Sequence, residues 1–205
     1  MSEAREHAEH IEHAGHHNKG IALLISILAL ILAFSETLGK SAQTSSLTYN
    51  VQANDTWAFY QARNIRATAV AAVKETAEIE LATTTDANKK ALLAKKIDEW
   101  DKRIKKWESD PEKKEGMKEL MAKARDFEKK RDHALEQYHN YEIASAVLQI
   151  GIVMASAAII SSILALAWIS GVLGFVGAIF VFCGLYAPEF ILHMFASGHA
   201  VPGGH

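Results

Sequence analysis

The chain has 205 residues, 49% of them hydrophobic and 22% charged, with a formal net charge of −2. Three Pro and a single Cys exclude a collagen, a Pro-rich disordered chain and a disulfide scaffold, and the near-neutral balance carries no nucleic-acid signal. The mean hydropathy of zero is an average of two compositions: 20 of the 22 Lys and Arg lie within residues 40–131, whereas residues 143–188 carry no formal charge, a gap that a soluble globular domain does not leave.

Residues 1–19 are a His/Glu-rich N-terminal tail with four Glu and five His. Residues 20–39 follow as a first transmembrane helix, opening on the uncharged run GIALLISILALILAFS. A helix between residues 19 and 40 rises about 30 Å, the thickness of one bilayer core. A signal peptide fits less well, because the start is acidic and no clear A-x-A cleavage site follows.

Residues 40–142 hold 20 basic and 18 acidic residues with one Gly and one Pro, the composition of long solvated helices. Two breaks are predicted. The run Thr83-Thr84-Thr85-Asp86 collects helix-poor residues, with Asp86 as N-cap. At Ser109-Asp110-Pro111, Asp110 is expected to cap and Pro111 to open the first turn of the next helix, with Gly116 loosening the same place. An outgoing helix over residues 42–82, about 60 Å long, and a return over residues 88–142 make a helical hairpin. Its return arm carries a coiled-coil-like seam: Leu93, Ile97, Trp100, Ile104 and Trp107. A second phase runs through Met117, Leu120, Ala124, Phe127, Arg131, Ala134, Tyr138 and Tyr141. It continues at Ser145, Leu148, Ile152, Ala155 and Ile159, so the helix is expected to run unbroken into the apolar region. Arg131 is the misfit, expected to snorkel or to pair with an acid on a neighbouring helix.

The uncharged segment is long enough for two spans, assigned to residues 143–169 and 170–188, with the turn at Ser170-Gly171 and a C-terminal tail over residues 189–205. The predicted fold is all-α: three transmembrane helices with a long extramembrane helical hairpin. Three spans put the tails on opposite sides. Lys40 and Lys129-Lys130-Arg131 tilt the hairpin toward the cytoplasm, but a loop of about 100 residues escapes that rule, so its side stays open.

The outgoing arm contains Asn54-Asp55-Thr56-Trp57-Ala58-Phe59-Tyr60-Gln61-Ala62-Arg63-Asn64-Ile65-Arg66. Further on come Trp107-Glu108-Ser109-Asp110-Pro111, Glu115-Gly116-Met117-Lys118-Glu119-Leu120 and Tyr138-His139-Asn140-Tyr141-Glu142. In these motifs and their order, almost the whole chain resembles the bacterial DUF4337 family, membrane proteins of unknown function. Unlike many similar members, it has no basic residue between its last two spans. The resemblance implies no reaction, ligand or catalytic residue.

Four groups of residues are candidate sites. Trp57, Phe59, Tyr60, Gln61 and Arg63, with Trp100, Trp107, Phe127 and Tyr138, are expected to make contacts within the hairpin or with another copy or partner; Trp57, Tyr60 and Gln61 share one helix face. Glu36, Glu142 and Gln149 are polar groups at or inside the spans, where ionisable residues are costly and raise the question of conduction. Gly151, Gly171, Gly174 and Gly177 are expected to let membrane helices approach closely. His10, His13 and His17 share a helix face and could hold a divalent metal weakly, although a tail supplies no fixed geometry for a specific site.

No nucleophile, phosphate-loop or zincin motif occurs, and no cofactor is expected. The expected function is therefore non-enzymatic: a homo-oligomeric scaffold in a bacterial cytoplasmic membrane, assembled through the hairpin, with the lipid bilayer and copies of itself as partners and no nucleic acid. The alternative is an oligomeric ion or proton channel, or a transport component, with Glu36 or Gln149 near the pathway.

Overall fold

A computed structural model describes residues 3–188, with side chains from Lys19 onward. Four helices follow in order: α1 (Glu3–Thr83), α2 (Ala87–Glu108), α3 (Met117–Ser161) and α4 (Leu164–Tyr186). No strand occurs among the described residues, and α1, α3 and α4 each contain a stretch long and apolar enough to cross a membrane. The expectations for His10, His13 and His17, and for the tail beyond residue 188, lie outside the described side chains.

The first break forms as the residue types dictate. Asp86 caps α2, its carboxylate accepting from Asn88 N at 2.8 Å and Lys89 N at 3.3 Å, which satisfies two amides that a helix start leaves without partners.

The second break departs from expectation. Pro111 does not open a helix; residues 111–114 make a turn closed by Lys114 N donating to Asp110 O at 2.8 Å, and α3 starts only at Met117. The turn ends there because Lys114 takes a left-handed conformation, with φ of 54°. Gly116 then passes so close to Ser109 that an added Cβ would lie 2.6 Å from the Ser109 Cα, so only glycine fits. Glu119 reaches back to tie the loop, accepting from the Ser109 hydroxyl at 2.7 Å and from Asp110 N at 3.2 Å, in the manner of a capping box. These bonds hold the Glu119 carboxyl below its ordinary range, the Ser109 hydroxyl being the main cause.

The turn between the last two apolar helices is another correction. It falls at Ser162-Ile163, not at Ser170-Gly171. Ser162 adopts φ of 55°, a left-handed exit from α3, and the Ser161 hydroxyl accepts from Ile163 N at 3.4 Å. Ser170 lies instead inside α4, fully buried, its hydroxyl donating to Gly151 O at 2.7 Å. A small polar side chain that satisfies itself on a neighbouring helix need not mark a turn.

The chain divides into two compact units. Unit 2, Leu47–Arg131, is an antiparallel hairpin of α1 against α2 and the first part of α3. Its pairings fix the register: Tyr49 stacks on Phe127 with centroids 6.5 Å apart, Trp57 Nε1 donates to Glu128 Oε1 at 2.9 Å, Arg63 pairs with Glu115 at 2.8 Å, and Lys74 pairs with Asp101. The predicted seam of α2 is the half-buried face: Leu93, Ile97, Trp100, Ile104 and Trp107 are all shielded, while most residues between them are exposed.

Unit 1 contains the remaining residues. Here α1, α3 and α4 pack on one another, with α1 and α4 both antiparallel to α3. The Ser35 hydroxyl donates to Tyr141 O at 2.9 Å and Asn140 Nδ2 to Pro188 O at 3.1 Å. The buried face of α3 runs Tyr141, Ala144, Leu148, Gly151, Ala155, Ala158. That is one residue off the predicted seam at 145, 152 and 159. The shift puts the small residues Ala144, Gly151 and Ala158 at the closest approach and leaves Ser145, Ile152 and Ile159 at the flanks. Small side chains at these positions allow the helix backbones to approach closely.

Candidate functional site

Within unit 1 the polar residues at the ends of the apolar stretches converge. Glu36, four residues short of Lys40, and Gln149, seven beyond Glu142, face each other across α1 and α3, with Gln149 Nε2 donating to Glu36 Oε1 at 3.4 Å. Beneath them Ser145 Oγ donates to Ser35 Oγ at 3.1 Å, and Ser35 is fully buried. Ser35, Glu36 and Ser145, with Lys40, Gln43, Tyr138, Tyr141 and Glu142, line a groove of about 310 Å³. Glu142 is touched by the Tyr138 hydroxyl at 3.4 Å and by His139 Nδ1 at 3.6 Å. Lys40, four residues on from Glu36, makes no ion pair with it within 4.0 Å. The Glu36 carboxylate accepts instead from the amide of Gln149, which α3 brings opposite it.

In unit 2 the aromatic motif separates into three directions. Trp57 and Tyr60 pack edge to face with centroids 5.5 Å apart, and Glu128 anchors the indole N–H. Arg63 turns inward to Glu115, with Phe59 and Trp107 beside it around a hollow of about 180 Å³. Gln61 is exposed, although spacing grouped it with Trp57 and Tyr60. Phe59 keeps 57% of its surface exposed. Phe127 lies between Lys123 and Lys130, whose ammonium groups sit 5.8 and 5.7 Å from the ring centre. Trp100 lies on the α2 seam beside Asp101, the partner of Lys74, and Tyr138 belongs to unit 1. The nine residues are thus not one patch.

The glycines divide as well. A Cβ on Gly177 would meet Leu148 Cγ at 2.7 Å, and one on Gly151 would meet Leu28 Cδ1 and Ser170 O at 3.5 Å; Gly174 faces the Leu28 side chain closely. All three lie at helix contacts, tight at Gly174 and Gly177 and ordinary at Gly151, and Gly184 joins them against the Tyr141 ring at 2.8 Å. Gly171 is not: a Cβ there meets nothing within 4 Å. Starting α4 at Leu164 aims Ser170 and Gly177 at α3 and Gly174 at Leu28 of α1, which turns Gly171 about 100° from Ser170 and off the packed face.

One feature escaped the hydropathy pattern. On α1 a seven-residue repeat runs through Ile21, Leu28, Ser35, Ala42, Tyr49, Thr56, Arg63, Val70 and Ala77. A second runs through Ile25, Leu32, Gly39, Ser46, Ala53, Tyr60, Ala67, Lys74 and Leu81. Every one of these residues is buried or half-buried. Spacing alone could have found the seam, but Ser, Thr, Gly and Ala at its core positions conceal it from an apolar count.

The opposite face of α1 in unit 2 carries another stripe of the same period: Val51, Asp55, Ala58, Ala62, Ile65, Ala69, Ala72, Thr76 and Ile79. All nine are exposed, Ile65 at 69% and Ile79 at 63%, and Asp55 is the one charge among them.

An all-α chain with three helices of membrane-crossing length, a long charged hairpin and no catalytic constellation among its described residues defines the class of protein. The chain belongs to the DUF4337 family, a domain of unknown function whose family model matches residues 17–187. No curated protein and no solved structure matches it.

Proposed function

We propose that this is a non-enzymatic integral membrane protein of the bacterial cytoplasmic membrane that crosses the bilayer three times. We propose further that it assembles with copies of itself into a scaffold through its hairpin. The observation that carries this reading is the exposed stripe of α1 from Val51 to Ile79, about 40 Å long. The seam of α2 is already half-covered within the chain, so the face left for another helix is the outer one. Its seven-residue period suits a partner helix of the same kind. Spans of identical topology would hold α1 of every copy in the same direction, so like residues would meet. A stripe with one charge tolerates that arrangement. Phe59, exposed beside Ala58 and Ala62, would add an aromatic anchor.

The test is the mass of the intact protein in mild detergent. The wild type is expected as a multimer, and Ile65→Lys, which places a charge at the middle of the stripe, is expected to shift it toward the monomer. A monomeric wild type, or an Ile65→Lys variant of unchanged mass, refutes the reading.

The contact of Gln149 with Glu36 favours a second reading, a channel or transport component with that pair on the pathway. Three spans cannot enclose a pore, so it too requires several copies. Glu36→Gln separates the two: altered ion flux in vesicles supports conduction, and unchanged flux with unchanged assembly supports the scaffold.

A further inference from the structure

The polar groove of unit 1 has a charge arrangement that the chain does not itself complete. Glu36 and Glu142 present two carboxylates and Lys40 an ammonium group on one groove. Among the described residues Lys40 has no ion pair. The contacts of the carboxylates are long, 3.4 Å from Gln149, 3.4 Å from Tyr138 and 3.6 Å from His139. Charge-assisted bonds that satisfy a carboxylate are shorter, about 2.7–2.9 Å. Long, weak contacts leave both carboxylates able to accept from an added donor. No group of three metal-ligating residues occurs among the described residues, so the donor set is not that of a metal centre.

The surroundings point to an amphipathic ligand. Apart from Glu36, Lys40 is the first charged residue after the apolar stretch of α1 and Glu142 the last before that of α3. On the faces of α1 and α3 that carry Glu36 and Gln149, the next residues inward are Ala33, Ala29 and Val153, all exposed. A polar groove with charges of both signs thus opens onto an exposed apolar strip of small side chains.

We propose that this groove binds the headgroup of a phospholipid bearing a primary amine. Its ammonium group lies between Glu36 and Glu142, its phosphate takes Lys40, and an acyl chain follows Ala33 and Ala29. A primary ammonium offers three donors to two carboxylates, whereas a quaternary one offers none, so phosphatidylethanolamine is preferred to phosphatidylcholine. Phosphatidylglycerol supplies the phosphate but no cation for the carboxylates. The inference rests on the bilayer reading above.

The experiment is native mass spectrometry of the full chain in mild detergent with the three lipids at equal mole fraction. Wild type is expected to retain phosphatidylethanolamine over phosphatidylglycerol. The isosteric double variant Glu36→Gln with Glu142→Gln is expected to lose roughly tenfold of that preference, the order of one charge-assisted hydrogen bond. Lys40→Gln is expected to lower retention of both phosphatidylethanolamine and phosphatidylglycerol. Equal retention of the three lipids by the wild type overturns the proposal, as does a preference that survives the double variant with helical content intact. Soluble glycerophosphoethanolamine separates the two sources of this headgroup. If it displaces the lipid at equal concentration, the assignment to a lipid fails. Failure of the bilayer reading would show differently, as a chain absent from the membrane fraction.

Discussion

Gly177 and Gly171 look equivalent in the sequence, six residues apart in one apolar run, and the structure separates them by energy. At Gly177 the methyl of an alanine would sit 2.7 Å from Leu148 Cγ and 2.9 Å from Leu148 Cδ2, with Ala144 O at 3.4 Å. Carbon atoms prefer about 3.5–4.0 Å. Leu148 has no exposed surface into which to retreat, so α3 and α4 must part or Leu148 must leave its rotamer, a cost of about 1–3 kcal/mol. Against this, alanine gains about 0.5–1 kcal/mol over glycine in a helix. At Gly171 only the gain applies, because a Cβ there meets nothing. Gly177→Ala is therefore expected to be less stable than Gly171→Ala by about 1–3 kcal/mol, the packing term alone. For a chain of this size that is a difference of roughly 2–12 °C in Tm. Thermal unfolding of the two variants in one detergent measures it. Repeating Gly177→Ala in a Leu148→Ala background, where space has been made, should abolish the penalty. Equal Tm values for the two glycine variants, or a penalty undiminished in the Leu148→Ala background, would refute the assignment of this contact.

Two pH-dependent predictions concern the hairpin. Because Glu119 is held below its ordinary range, its stabilisation of the 109–116 loop is complete above that range and is lost as pH falls through the lowered value. Proteolysis within residues 110–116 should thus be slow at neutral pH and quicken in acid, and Glu119→Ala should be cut quickly at both; a variant as resistant as wild type at pH 7 would contradict the tie. The bond between Lys74 and Asp101 lowers the acid and raises the base. Their contribution is full between the ordinary carboxylate and lysine values. It falls away as pH drops through the depressed Asp101 value or climbs through the raised Lys74 value. Hydrogen exchange of α2 amides at pH 7 should be faster in Asp101→Asn than in wild type, and the two should converge as Asp101 protonates. No difference at pH 7 would mean that this surface pair contributes nothing.

The all-α architecture, the three apolar stretches and the two breaks of the hairpin were legible because they depend on local chemistry. A charge-free run has few stable environments, Asp86 satisfies amides two and three residues away, and Leu93 to Trp107 repeat at helical spacing. The α1 seam was not legible by hydropathy, because its core positions are Ser, Gly, Ala and Thr, whose value lies in what they allow a neighbour to do. The turn at Ser162-Ile163 was missed for a related reason. Ser170-Gly171 has the composition of a turn, and only the carbonyl of Gly151 opposite makes it an interior position.

The sequence by itself determined which segments are helices, and which of them are apolar enough to cross a membrane, since both follow from properties summed along the chain. Only the tertiary structure decided which face of each helix is spent. It shifted the buried face of α3 by one residue to bring Ala144, Gly151 and Ala158 to the contact. It separated Gly171 from Gly177, divided the aromatic motif, drew Glu36, Lys40 and Glu142 to one groove, and set Gln149 against Glu36. Those outcomes depend on distances between residues far apart in sequence, of the kind set by the approach of Leu148 to Gly177, and no local pattern contains them.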